Sequence, residues 1–150
     1  MGLPLQEMMV TYVCCMLSTG NPSPSLYNDV FGFFMGPAAG TLTNIAVLPG
    51  TSTPVTISTI NAVHASQLYR DNSFGGPTPL ATEFDGITKM LKTADVNVTS
   101  GTTYRIKLSI ADGDDSGYDS AVYVKLGSLR FGIKDCVGSW VASTCNGVFV

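Results

Sequence analysis

A chain of 150 residues with 45% hydrophobic and 13% charged side chains, 16 Gly and 8 Pro describes one turn-rich globular domain and excludes intrinsic disorder. Its formal net charge is −3 and no Lys or Arg precedes Arg70, so no basic stripe is available for an anionic bilayer or a nucleic-acid backbone, and nucleic acid is excluded as a partner. The acidity is local: Asp112, Asp114, Asp115 and Asp119 supply four of the eleven acids, and removing their four negative charges would turn −3 into +1.

In chain order, the first feature is the apolar stretch from Met8 to Leu17, MMVTYVCCML. It is too short to be a transmembrane segment, which takes about 20 residues. Two readings remain, the apolar part of a secretion signal or a strand. No basic residue precedes the stretch, Glu7 sits at its start and no small-x-small cleavage site follows closely, all of which favour the strand. Asn21-Pro22-Ser23-Pro24-Ser25 reads as a linker, so residues 1–26 are taken as a peripheral N-terminal segment or linker, either whole or the truncated start of a fragment.

Val30 to Met35 and Asn44 to Leu48 are continuous apolar runs, the pattern of strands covered on both sides. Val55, Ile57 and Thr59 alternate. Helical periodicity is confined to a brief stretch from Ile87 to Lys92. Thr103 to Ile110 alternates throughout, with Tyr104, Ile106, Leu108 and Ile110 on the face expected to be buried, and Ala121 to Leu126 supplies the next strand. Gly36-Pro37, Pro49-Gly50, Gly75-Gly76-Pro77, Ser100-Gly101 and the stretch Asp112 to Ser120 punctuate these runs as turns. The expected fold is all-β: an antiparallel, jelly-roll-like β-sandwich over residues 27–133 with at most one or two short helices, followed by a tail over 134–150.

Catalytic templates are missing. The chain has no G-x-S-x-G, no G-x-x-x-x-G-K-[ST], no H-E-x-x-H and no G-x-G-x-x-G, and its single histidine, His64, sits between Val63 and Ala65 with no carboxylate or cysteine at ligand spacing. The expectation is a protein that is not an enzyme. Cys14 and Cys15 are adjacent, and a bond between neighbours would be strained. Cys136 and Cys145 flank a short polar loop and read either as an extracellular disulfide or as two buried thiols. Asn97-Val98-Thr99 is an N-glycosylation triplet, of consequence only in a eukaryotic secretory route.

The octet Asp112-Gly113-Asp114-Asp115-Ser116-Gly117-Tyr118-Asp119 is the most informative segment. Four carboxylates so close repel one another unless they are solvated or gathered around a cation, and oxygen ligands on a glycine-bearing loop suit Ca2+ better than Mg2+. Its first half follows EF-hand spacing, but the twelfth position is Tyr123 where a bidentate Glu is needed, and strands flank it where helices should. A calcium loop of another geometry and a solvated acidic turn both fit. A glycosidase pair fits poorly, because such carboxylates face each other across a groove and usually come from separate strands.

Several segments carry a family resemblance when taken together. They are Tyr27 to Phe34 (YNDVFGFF), Asn44 to Val55 (NIAVLPGTSTPV), Phe84-Asp85-Gly86, Gly101 to Asp112 (GTTYRIKLSIAD) and Tyr118 to Tyr123 (YDSAVY). In this order they resemble the choice-of-anchor L domain over about residues 27–129. The resemblance implies an extracellular β-rich module within secreted or surface-attached, mostly bacterial proteins, with no established enzymatic activity. Two departures stand out. The stretch Ser18 to Ser25 carries no acidic residue where the family has a strand ending in a Ser-Glu-Glu-Tyr-like motif, and Gly132 to Val150 shows no sorting motif, basic stop-transfer cluster or long apolar helix. The chain therefore reads as a fragment or as a diverged standalone form.

If the acidic positions gather around one ion, Asp29 joins Asp112, Asp114, Asp115 and Asp119 as a ligand; Asp29 reads equally well as a strand-end turn residue. The leading expectation is a non-catalytic extracellular structural or adhesive module at the cell surface with a Ca2+-binding acidic loop. Its rivals are a carbohydrate-binding module using Tyr69, Phe74, Tyr118 and Trp140, a hydrolase, and a subunit that self-associates by strand addition at an open sheet edge. A surface glycan or another protein would be the partner.

Overall fold

The computed structural model describes residues 6–9, 11–16, 28–73, 75, 80–82, 84–113, 120–134 and 140–142, with only the backbone course given for the strands within 6–16 and 131–142. Those residues form strands β1 (Gln6–Met9), β2 (Thr11–Met16), β3 (Val30–Pro37), β4 (Thr43–Asn44), β5 (Val55–Thr56), β6 (Tyr69–Asp71), β7 (Gly86–Thr88), β8 (Leu91–Lys92), β9 (Val96–Val98), β10 (Tyr104–Ala111), β11 (Ser120–Val124), β12 (Arg130–Lys134) and β13 (Trp140–Ala142). One short 3-10 turn, Ser66–Leu68, precedes β6. The fold is all-β and every strand pair is antiparallel, as the sequence predicts.

The strands divide among three hydrogen-bonded sheets. One runs β13-β12-β1-β9, a second β10-β3-β4 with β5 also on β3, and a third β11-β2-β7-β6 with β8 also on β2. β3 is the centre of the core because its alternating apolar residues all find cover: Phe31, Phe33 and Met35 are buried on one face. Ile45, Ala46, Val55, Ile60 and Leu91 complete the cluster. Each large apolar side chain fully buried there contributes about 1.5–3 kcal/mol. On the opposite face of β3, the Phe34 ring folds over Gly32, where an added Cβ would lie 2.3 Å from its Cε2. Lys107, the cross-strand partner of Phe34, holds its ammonium 5.9 Å from that ring.

Between the short strands, asparagine side chains supply hydrogen bonds that the sheets do not. Asn44 Oδ1 accepts from the Phe33 and Ala46 amides, fixing the step from β4 onto β3. Asn61 accepts from the Val63 and His64 amides and donates to the Ile57 and Ser58 carbonyls. Asn72, itself buried, accepts from the Leu80 amide and donates to the Phe84 carbonyl at 2.7 Å, tying the connection before β7 to the end of β6. Asn72→Ala is expected to cost about 2 kcal/mol, since it removes a buried side chain that holds both the Leu80 amide and the Phe84 carbonyl. Urea denaturation would check this, and a change below about 0.5 kcal/mol would show the connection to be held by other means.

The structure differs from the sequence reading in four places. Residues 1–26 were expected to be peripheral, yet β1 lies between β12 and β9, and β2 lies between β11 and the pair β7 and β8. Within the apolar stretch Met8 to Leu17, Met8 and Met9 lie in β1 and Thr11–Met16 form β2, and both strands pair on two edges because their partners come from distant parts of the chain. The expected tail begins inside β12, which β13 extends further. The brief helical stretch Ile87 to Lys92 is instead the end of β7 and all of β8, both pairing β2; six residues cannot repay helix nucleation when a strand edge is available. Finally, β10 buries only half of its apolar face: Tyr104 and Ile106 pack against the core, but Leu108 and Ile110 are 50% and 49% exposed. They pair with buried Phe33 and Phe31, but β10 is an edge of its sheet, so cover is thinner there.

Candidate functional site

The acidic loop departs from the end of β10 and returns at the start of β11. Register places its exit beside β3, because Ala111 pairs with Val30. Asp29, one residue before β3, is therefore adjacent to the loop, as the proposed gathering of acids requires. Its side chain is 8% exposed, and both carboxylate oxygens are engaged. Oδ1 accepts the Gly113 amide at 3.0 Å and Oδ2 accepts the Ser120 hydroxyl at 2.5 Å. A single buried carboxylate thus closes both ends of the connection through charge-assisted hydrogen bonds, the stronger class.

Asp29 is itself fixed by its neighbours. Its carbonyl accepts the Ile57 amide at 3.2 Å, and Asn28 Oδ1 accepts the Ser58 amide at 3.1 Å. Gly113 is needed for the close approach: a Cβ there would sit 2.7 Å from the Asn28 carbonyl oxygen. Since Asp29 leads into β3 and Ser120 opens β11, the same carboxylate bridges the β10-β3-β4 sheet and the sheet containing β11 and β2.

Of the other site residues expected from sequence, Asp112 is exposed at the loop's first position. Asp114, Asp115 and Asp119 lie outside the described residues, and among the described residues no three His, Cys, Asp or Glu side chains converge on a metal position. His64 is exposed, its amide donating to Asn61 Oδ1 at 2.7 Å. Tyr69 packs against the core cluster, a role that conflicts with use as a stacking platform. Phe74 and Tyr118 lie outside the described residues, as do Cys136 and Cys145; Trp140 begins β13, and Cys14 and Cys15 stand opposite Val122 and Ala121.

Burial raises the Tyr69 phenol above its ordinary value of 10.0, and the charges of Asp71 and Asp85 raise it further. The shift favours the folded state while the phenol is neutral, below about pH 10, and that contribution disappears as pH rises through the raised value. Ultraviolet titration of the six tyrosines is expected to show a late-ionising component that Tyr69→Phe removes. Asp71 is shifted the other way, lowered by hydrogen bonds from the Ser73 side chain and amide. It is a surface turn contact and not part of the loop site.

Sequence reasoning did not find Ser120 or Gly113 as partners of Asp29. A serine at a strand start and a glycine in an acidic turn are too common to signal a clamp.

The segment containing this clamp falls within a longer match. Residues 16–130 match the family model of the Choice-of-anchor L domain. The chain belongs to that family. No curated protein and no solved structure matches it. Membership in the choice-of-anchor L family makes this a β-rich module of a secreted or surface-attached protein. The match runs from the last residue of β2 to the first of β12, so Asp29, the whole acidic loop and Ser120 belong to the family domain. Among the described residues, no helix is long and apolar enough to cross a membrane.

Proposed function

We propose that this choice-of-anchor L domain is a non-catalytic structural and adhesive module whose acidic loop takes Ca2+. The observation that carries the reading is the clamp: Asp29 draws Gly113 and Ser120 to one carboxylate, which confines the intervening six residues and their three acids to a short closed connection. Closing the loop brings like charges together, and a hard divalent cation with oxygen ligands relieves that repulsion. Asp112, Asp114, Asp115 and Asp119 are the ligands in this reading. Asp29 positions the loop and, since each carboxylate oxygen has more than one acceptor direction, keeps capacity toward an ion.

Calorimetric and thermal-melt titrations with Ca2+ test this. Extracellular calcium modules bind at about 10⁻⁴–10⁻³ M, so 10-fold saturation is expected to add about 1.4 kcal/mol of stability, or roughly 3–6 °C in Tm. Asp112→Ala/Asp119→Ala should abolish both the heat and the shift, with Mg2+ giving much less of either. Wild-type protein that gives neither signal at millimolar calcium would remove the calcium reading and leave a passive module.

A further inference from the structure

Away from the acidic loop lies a groove of about 950 Å3, at the upper end of the range for ligand sites. Four parts of the chain line it: the turn after Val47, Leu68, the stretch from Met90 to Asp95, and the connection from β11 to β12. Each of the last two brings cations to it. Lys92 ends β8, Lys125 follows β11 and Arg130 opens β12, so three of the eight basic residues of a net-acidic chain line one groove. Among the described residues, Asp95 is the one acidic side chain lining it, against three cations that are all exposed. The groove is locally positive where the whole chain is negative.

The rest of the lining narrows the ligand. Among the described residues no aromatic ring lines the groove, and its cations are the feature a ligand would meet. Met90, 59% exposed, offers it aliphatic surface. Gly50 and Gly127, exposed turn residues with φ of 73° and 68°, have no atom within 4 Å of an added Cβ, so two rims of the groove are sterically open to a ligand.

The geometry points to this groove as a binding site for an acidic polysaccharide strand, with Lys92, Lys125 and Arg130 pairing anionic groups spaced along it and the two open rims admitting it. Anionic charge on such a strand comes from uronate carboxylates or from phosphodiester links, and both fit three solvent-facing cations. An anionic membrane fits less well, because a concave site offers a bilayer no apolar face to insert; Leu126, 98% exposed between Lys125 and Gly127, is the residue that reading would need. The inference uses no part of the acidic loop and stands apart from calcium binding.

Affinity electrophoresis of the full chain tests it, with polygalacturonate, poly(glycerol phosphate) or neutral dextran cast into the gel. Retardation by either acidic polymer and not by dextran is expected, with the stronger polymer identifying the source of the anion. Lys92→Gln, Lys125→Gln and Arg130→Gln should each weaken binding roughly fivefold, high salt should release the protein, and Leu126→Ser should bind like wild type. Melting curves of each variant confirm folding, and the salt response of the wild type stays decisive if Arg130→Gln unfolds. Absence of retardation by both polymers, or retardation unchanged in a folded Lys92→Gln/Lys125→Gln variant, overturns the inference. So does binding to vesicles of anionic phospholipid that Leu126→Ser abolishes in a protein neither polymer retards.

Discussion

Asp29→Ala is expected to lower the free energy of unfolding by about 3 kcal/mol, the loss of two hydrogen bonds to a charged and nearly buried acceptor. For a chain of this length that is a fall of roughly 6–12 °C in Tm. Asp29→Asn should recover about half of the loss, because its carbonyl can accept from one donor while its amide group faces the other. Ser120→Ala should show a smaller part of the same effect, since it removes only the Oδ2 partner. Denaturant titrations of the three variants separate a clamp from an ordinary turn: a surface turn residue would change stability by less than about 0.5 kcal/mol. The clamp also predicts that limited proteolysis cuts Asp29→Ala within the 112–120 connection before wild type, under conditions where both remain folded.

Gly36→Ala is the other substitution with a large expected effect. Gly36 is buried near the end of β3, where the chain turns and folds back toward β4. An alanine Cβ there would lie 2.2 Å from the Thr41 carbonyl oxygen, 3.1 Å from its carbon and 3.3 Å from the Leu42 Cα. All three are backbone atoms, so the turn itself must move, and its bond from the Gly40 amide to the Pro37 carbonyl moves with it. The expected cost is about 3 kcal/mol, at the upper end for overpacking. Gly32→Ala makes a useful contrast. Its added Cβ meets the Phe34 ring, which can swing aside at smaller cost. If the two variants proved equally stable in urea, the account of a backbone-limited turn at Gly36 would be wrong.

How far the sequence could be read follows from where each partner lies. β10 was legible because strict alternation is a local property: Thr103 to Ile110 predicts a strand at Tyr104–Ala111 within one residue at each end. The run Val30 to Met35 marks β3 for the same reason, its apolar residues being adjacent in sequence as well as in the core. The interior placement of β1 and β2 was not legible. It depends on pairings such as Gln6 with Ile133 and Met16 with Ser120, and nothing in a hexapeptide announces a partner more than a hundred residues away.

The same distance limit applies to the site. The octet stood out by composition, and Asp29 entered as one of two open readings. Its contact with Gly113 spans 84 positions and that with Ser120 spans 91, so only the β3–β10 register could bring them together. Exposure of Leu108 and Ile110 escaped the pattern because alternation identifies a face without saying how completely another layer covers it. The cationic groove was invisible for a related reason. Lys92, Lys125 and Arg130 form no run in the sequence, and the overall acidity pointed away from any anionic ligand.

β1 and β2 are separated by a single residue, yet they enter different sheets, and each pairs with strands from the final third of the chain. Neither sheet can therefore close while that third is still missing, whether during synthesis or during passage across a membrane. Closure of so many distant pairings sets a slow clock, on the millisecond-to-second scale typical of β topologies with long-range contacts. A machine that handles this domain unfolded would therefore meet β1 and β2 still without the partners, β12 and β11, that complete their sheets.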